Sequence, residues 1–448
     1  MMKVVHLAYS DGGGGAFKAA YRIHHGLASL GLDSTMLVSR RLGSDPTVKD
    51  AGTTAGRLWG QLASHLDTAP WRLLRMPRTE YSSLAWVGTA ATRRANTIAP
   101  DIVQLHWICA GFLRLEALTE ITAPLVWRLA DMWPLAGAEH YVGDDVRYRQ
   151  GYRTDSRPIT DRGWDLDRWV WQRKRRVYAR VRDLTVVTPS RWLARCAGES
   201  VLLRGRRIEV IPTGQDVATF RPIPKDQARS ILGLPQDAKL VMAGSMAVAD
   251  KRKGVDLLLA ALESLRGSGY RLLLLGDAPL ARLRLPVEAH CLGRLNDDVS
   301  LALAYSSADV FVAPSREENL ANTVIEAMAC GVPCVAFNVG GMPDIVHPGR
   351  NGYLAAPFAT DDLARGIVSV LEAGAGYARL AAEARLTVER EFSAALQARR
   401  FAALYEEVLC RNSRLSSGPK PDAQAKAYGH AAQVAAACDA GARDAAVK

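Results

Sequence analysis

No apolar run in the 448 residues approaches the ~18 needed to cross a bilayer. Cysteine is sparse and scattered, at 109, 196, 291, 330, 334, 410 and 438. None of the seven forms a C-x-x-C pair, so neither a zinc site nor a disulfide framework is indicated, and a reduced, cytoplasmic setting is expected. Cys330 and Cys334 flank a helix end and a strand, where core packing accounts for them. No G-x-G-x-x-G dinucleotide fingerprint and no Walker lysine are present. Met1 to Ser10 (MMKVVHLAYS) is too short for a signal peptide, runs into glycines without a cleavage pattern, and reads as a strand. What is there is ordinary for a globular protein, long enough for two or three domains. The formal charge of +11 favours anionic ligands or an anionic membrane face.

The most informative stretch is Pro314 to Gly341, PSREENLANTVIEAMACGVPCVAFNVGG. It follows a short apolar run, Asp309 to Ala313, that reads as a buried parallel strand. A helical pattern holding Glu326 stops at Gly331, and Val332 to Phe337 is again of strand length. The order is strand, acidic loop, helix, glycine, strand. Glu318 at a strand's carboxyl end and Glu326 on the next helix then line one crevice, where open α/β sheets bind ligands. Carboxylates suit vicinal hydroxyls of a sugar or ribose, and a helix opening after Asn319 attracts phosphate. Were the whole interval helical, the two carboxylates would lie ~12 Å apart along the axis. Against this stand a capping box, Ser315-x-x-Glu318, and a solvated Glu326.

Glu318, seven residues, Glu326, then AMACGVPCVAF resembles the signature of retaining GT-B glycosyltransferases of family 4. The form ENLANTVIEAMACG is similar to the exopolysaccharide and lipopolysaccharide branch. The resemblance implies that Glu318 binds the donor sugar's hydroxyls and Glu326 the ribose, with Asn319, Leu320 and Ala321 supplying backbone contacts. The glycine usual three residues after the first glutamate is Ala321 here.

In the first half, Val4 to Tyr9 and Ser34 to Ser39 read as strands. A glycine turn (Asp11 to Gly15) and a helix (Ala16 to Leu30) lie between them, the unit of a parallel doubly wound sheet. The glycine loop is either a plain turn or an approach for phosphate to a helix N-terminus; the resemblance favours Gly14 and Gly15 as ligand-facing. Residues 40 to 80 show no clear period. Asp101 to Trp107 is a strand with His106 near its end. Pro124 to Leu129 is another, running into Asp131, Trp133, Glu139, His140 and Tyr141. Acid and imidazole past a strand end could hold or deprotonate a hydroxyl, and the aromatics could stack on a sugar; a structural loop is the alternative. The segment resembles the H-D-M-W-P-F-x-G-x-x-H-Y motif of that branch, with Ala130 where its histidine stands. His106, Asp131 and His140 are the catalytic candidates, and Glu139, Trp133 and Tyr141 the acceptor-side ones.

Asp161 to Asp183 is a helical candidate with tryptophans interleaved among basic residues (QRKRRVYARVR). It is either an anionic-lipid or lipid-pyrophosphate surface or a solvated helix with partly buried tryptophans; no motif supports nucleic acid. Asp165-Leu166-Asp167 matches D-x-D, but on a helix its side chains diverge by about 200°. Thr213 to Asp216 resembles the family's interdomain segment.

In the second half, Leu240 to Ala243 is a strand, and Asp250 to Gly254 precedes the helix Val255 to Leu265. A basic cluster at a helix start makes sense if a diphosphate sits there. By resemblance Lys253 binds it, and Arg252 substitutes for an arginine that is Ser245 here. Cys291 to Leu295 resembles the loop holding the base, which adds Arg294.

The expectation is an α/β protein of GT-B type: two Rossmann-like doubly wound parallel-sheet domains facing across a cleft. The acceptor-side domain spans 1–212 and the donor domain 213–393. A helix at 394–411 crosses back, and 412–448 is a disordered tail. The implied activity transfers a hexose-type sugar from a UDP- or GDP-sugar to a growing cell-surface glycan or lipid-linked saccharide, with no metal and no cofactor, at the inner face of the membrane or free of it. A nucleotide-sugar epimerase and a non-catalytic sugar-nucleotide or lipid binder are the alternatives.

Overall fold

The computed structural model describes residues 1–52, 54–73, 82–158, 163–247, 250–277 and 284–416. Seven strands form the first sheet: β1 (Lys3–Ser10), β2 (Asp33–Arg40), β3 (Val48–Asp50), β4 (Ile102–Leu105), β5 (Leu125–Arg128), β6 (Leu184–Thr188) and β7 (Arg207–Val210). Six form the second: β8 (Leu240–Ala247), β9 (Arg271–Asp277), β10 (Ala289–Cys291), β11 (Val310–Ala313), β12 (Cys334–Phe337) and β13 (Gly352–Ala355). Their spatial orders are 3-2-1-4-5-6-7 and 10-9-8-11-12-13. Every pairing between these strands is parallel.

Parallel strands covered by helices on both faces are apolar at successive positions rather than alternating. Ile102–Leu105, Val310–Ala313 and Cys334–Phe337 are buried at every residue. In each sheet the strand order reverses once, between β1 and β4 and between β8 and β11. Ligands of open α/β sheets bind at such switch points. The loops there are the glycine turn after β1, His106-Trp107 after β4, Gly244 on β8 and Pro314–Ala321 after β11.

The chain passes between the two lobes twice. Gln215 N–H donates to Phe392 O (2.7 Å), and Ala394 N–H donates back to Gln215 O (2.9 Å). Gln397 Nε2 donates to Pro212 O (2.7 Å), so both passages are tied into one joint. The start of the helix Ala394–Ser416 then packs on the first lobe, where a Cβ on Gly26 would sit 2.9 Å from that of Ala398. It extends through 412–416, which the sequence placed in a tail; residues 417–448 lie outside the described residues. The chain divides into a unit Met1–Ala402, holding both sheets, and a unit Ala403–Lys448, whose described part continues that helix.

The stretch without a readable period holds β3 and a helix, Thr54–Leu73. Its inward residues are Gly60, Ala63, Asp67 and Trp71, while Leu58, Trp59, Leu62 and Leu73 are exposed. With apolar residues on both faces there is no amphipathic period to detect.

Three histidines are buried under the first sheet. His6 Nδ1 lies 3.0 Å from His106 Nε2. His24 bonds Ser34 Oγ (2.7 Å) and Thr47 Oγ1 (2.8 Å). Burial lowers the pKa of His6 and His106 and brings His24 down to about 4. The unfolded chain binds these protons near pH 6.5 and the folded one does not, so stability present above 6.5 falls as pH drops towards 4. His24 alone accounts for about 3 kcal/mol over that interval. Urea denaturation at pH 7 and pH 4.5 should show this loss, reduced in His24→Gln; equal stabilities at the two pH values would contradict it.

Candidate functional site

Helix Asn322–Ala329 begins after Ala321, so Glu318 to Ala321 is loop and only Glu326 is helical. The helix has no side-chain N-cap. Its first-turn amides and positive dipole end are thereby left for an anion. Glu318 is half-buried and forms an ion pair with Lys253 Nζ at 2.5 Å; Arg252 Nη1 is 3.9 Å away. Burial alone would raise this carboxyl, but Lys253 and then Arg252 outweigh it and hold it below its usual range. No capping box forms, because the carboxylate is turned to Lys253.

Glycines let the loop pack this closely. Gly340 has φ +54, and a Cβ there would lie 1.8 Å from the Glu318 carbonyl oxygen. A Cβ on Gly341 would lie 1.8 Å from that of Asn319. The Gly341 amide itself donates to Glu318 O (3.1 Å).

The first lobe reaches this loop directly. Asn319 Nδ2 donates to Ala130 O (3.0 Å), and Ser190 Oγ donates to Asn319 Oδ1 (2.8 Å). Gly143 N–H donates to Glu317 Oε2 (3.1 Å). The Arg252 guanidinium lies 4.2 Å over the Tyr141 ring. Beside these contacts Asp131 Oδ2 accepts from His140 Nδ1 (2.7 Å) and from Trp107 Nε1 (3.0 Å). Trp107 stacks on His140 with centroids 5.3 Å apart. Ala130 and Tyr141 therefore meet Asn319 and Arg252, and the buried Asp131–His140 pair stands next to each of them in the chain.

Glu326 belongs to an open cleft of about 1210 Å³ between the lobes, with Gly14, Gly15 and Arg294 also in its walls. Tyr305 OH donates to Glu326 Oε2 (2.9 Å), and Arg22 Nη2 is 3.5 Å from Oε1. Burial raises the Glu326 carboxyl. Lys18 bonds Asp298 (2.7 Å), and Asn322 Nδ2 donates to Gly15 O (3.1 Å). A void of about 20 Å³ beside Lys253 shares Gly244 and Thr323 with the cleft wall. Gly244 and Thr323 thus border both spaces, and Lys253 on the far side of the void is paired with Glu318.

Other candidates sit elsewhere. His106 is in the buried histidine group, away from the cleft wall. Trp133 is fully buried, its Nε1 donating to Ser83 O (2.9 Å), and offers no stacking face. Glu139 is buried against Asp167 and accepts from Tyr152 OH, so it is interior support. Leu320 and Ala321 are buried on the second lobe's core. The basic helix is Leu166–Arg180, and half of its expected surface is internal: Trp171, Arg173 and Lys174 are buried. Lys174 Nζ donates to the carbonyls of Trp133, Ala136 (3.1 Å) and Gly137 (2.6 Å), bracing the loop that carries Asp131 and His140. Burial pushes this ammonium down and the Glu139 carboxyl up. Asp165 caps its own helix at Arg168 N (2.9 Å), which accounts for the D-x-D match. Sequence reading missed Lys18 and Arg22. Their signal was the spacing of Lys18, Tyr21, Arg22 and His25 on one face of helix Gly15–Ser29.

Sucrose-phosphate synthase from Thermosynechococcus elongatus superimposes with a TM-score of 0.66 at 19% identity, over 92% of this chain and 100% of its own. Anabaena HepE in complex with UDP-glucose gives 0.62 at 18%, over 91% and 100%. The fold is GT-B. Residues 237–373, the core of the second GT-B lobe, match the family described as Glycosyl transferases group 1. D-inositol 3-phosphate glycosyltransferase from Segniliparus rotundus is 36% identical over 183 residues, 38% of this chain and 40% of that protein. The chain spans about two fifths of the length of the curated relatives it matches.

Gly349 also has positive φ (+71), but nothing lies within 4 Å of a Cβ built there. Gly349→Ala should cost only the left-handed penalty, about 1–2 kcal/mol. Gly340→Ala should cost more, because the Glu318 carbonyl must move. Thermal melts of both variants check the difference; equal losses would mean that the Glu318 loop is not tightly held.

Proposed function

We propose that this protein transfers a hexose-type sugar from a nucleotide diphosphate sugar to an acceptor hydroxyl, with retention at the anomeric carbon. The observation that carries this is the order of groups from Glu326 on the cleft, through Gly244 and Thr323, to Lys253 and its partner Glu318. It fits ribose hydroxyls on Glu326, a diphosphate over Gly244 and the capless helix, and sugar hydroxyls on Glu318. Arg294 lies where a uracil or guanine base would end. A neighbour's structure with UDP-glucose supports the donor class.

In this reading the bond between the anomeric carbon and the diphosphate breaks, and Lys253, Arg252 and the helix amides meet the developing charge. Asp131 keeps the proton on His140 Nδ1, so Nε2 is the acceptor for the proton of the incoming hydroxyl. The Asn319, Tyr141 and Glu317 contacts close the lobes over the sugar and exclude water.

The acceptor is a cell-surface glycan or a lipid-linked saccharide. A phosphorylated polyol is the second reading, favoured by Lys18 and Arg22 on the first-lobe wall and by the name of the relatives.

Thermal shift and calorimetry with UDP-glucose, GDP-glucose and NAD should show nucleotide-sugar binding that Glu326→Ala loses. No binding of any nucleotide-sugar at millimolar concentration, or binding of NAD alone, would overturn the reading. His140→Asn should keep donor affinity within about twofold while lowering kcat by roughly 10²-fold or more. An unchanged kcat would remove His140 from the chemistry.

A further inference from the structure

Arg128 is a buried basic side chain that the donor site leaves unused. It is the last residue of β5, at the carboxyl edge of the first sheet, and is 4% exposed. Other buried basic groups are neutralised or saturated. Lys174 meets the carbonyls of Trp133, Ala136 and Gly137. Arg173 has Glu116 and the carbonyls of Leu84 and Ala85. Arg229 has Asp309 and the carbonyls of Ser307, Gln236 and Ala238. Arg128 has nothing comparable. Among the described residues its one hydrogen bond runs from Nη2 to Thr213 Oγ1 (2.8 Å), and its Nε reaches no acceptor. Burial brings its pKa down to about 10, and no carboxylate among the described residues opposes the shift. The group is therefore still a cation at neutral pH. A cation taken out of water without a counter-charge is costly, and buried charges are accordingly paired.

The groups beside it are donors that need an acceptor. Thr213 Oγ1 accepts from Arg128, which leaves its hydroxyl proton to be given. β4 and β5 pair with Leu105 opposite Trp127, so His106 comes beside Arg128. Burial, and then the guanidinium charge, keep the His106 ring neutral. His106 Nε2 faces His6 Nδ1 at 3.0 Å, while His106 Nδ1 has no partner. Where His6 donates in that contact, the neutral His106 ring carries its proton on Nδ1. Arg128 Nε, Thr213 Oγ1 and His106 Nδ1 are then donors in one buried layer. A water molecule would accept from such groups but would neutralise no charge. Arg128, Thr213 and His106 are 4%, 2% and 2% exposed, which limits an occupant to a small ion.

We propose that Arg128, Thr213 and His106 hold a small inorganic anion of the halide class inside the first lobe, where it balances the guanidinium. The site adjoins the joint between the lobes. Thr213 lies between Pro212, whose carbonyl accepts from Gln397 Nε2 (2.7 Å), and Gly214, where a Cβ would sit 2.7 Å from Ala394 Cα. The anion thereby ties the end of β5 to both passages of chain between the lobes. Arg128, Thr213 and His106 are not in the wall of the cleft, and the inference is independent of the donor reading.

The test uses the full chain, with halide ions as the probe. At about pH 8 exposed histidines are neutral. There the melting temperature should rise by roughly 2 °C or more when sodium chloride replaces sodium gluconate at equal ionic strength. Arg128→Met should remove that rise. In gluconate it should melt no lower than wild type, because it deletes an unbalanced charge. Wild-type crystals grown with bromide in place of chloride should show an anomalous peak beside Arg128 Nε. The proposal is overturned by a map without bromide at Arg128, by a wild-type melting temperature indifferent to the exchange of anions, or by the same rise in Arg128→Met as in wild type. Should Arg128→Met fail to fold, the two wild-type measurements decide.

Discussion

Glu318 is a carboxylate largely withdrawn from water at the meeting of two lobes, and the architecture around it follows from keeping it charged. An isolated buried carboxylate would take up a proton. Lys253 prevents this, and Arg252 adds to its effect. Holding that geometry requires a loop pressed against backbone, which is why Gly340 and Gly341 stand where no Cβ fits. It also requires the first lobe, whose Ala130 and Ser190 pin Asn319 beside it. The contact between the lobes is carried by Asn319, the next residue, so the position of Glu318 and the approach of the first lobe are linked.

The rest of the cleft has a looser electrostatic character. Arg22 faces Glu326 at 3.5 Å and Asp298 at 3.8 Å. These are long contacts that a ligand can enter and divide. Lys18 and Asp298 form a closer pair but remain partly exposed, where an ion pair contributes little on its own. The molecule thus combines a close ion pair at Glu318 with longer contacts at Glu326, which borders the cleft. An extended ligand with a sugar at one end and a nucleoside at the other matches that asymmetry.

The alternation of strands and helices was legible, because parallel strands buried on both faces are short continuous apolar runs. The acidic loop was legible for the same reason: it lies between two such runs, β11 and β12. Helix Thr54–Leu73 was not, since an exposed leucine stripe cancels the period that marks a helix. Residue type near a strand end singled out Asp131, His140, His106, Trp133 and Glu139 alike. All five are buried, and only their partners differ: Asp131 and His140 pair with each other beside Tyr141, while Trp133 and Glu139 bond interior groups. The basic run of helix Leu166–Arg180 misled in the same way, because Lys174 and Arg173 find their partners in carbonyls of distant segments. Lys18 and Arg22 gain meaning only when Asp298 and Glu326 of the other lobe come opposite them.

The central claim is that one donor molecule spans the path from Glu326 to Glu318. A crystal structure with UDP-glucose, or with whichever nucleotide-sugar binds, tests it most directly. The account predicts ribose hydroxyls within about 3 Å of the Glu326 carboxylate, sugar hydroxyls at a comparable distance from Glu318, and the diphosphate between them against Lys253. A nucleotide bound elsewhere on the molecule, or in the cleft with Lys253 and Glu318 still paired and no sugar between the lobes, would contradict it.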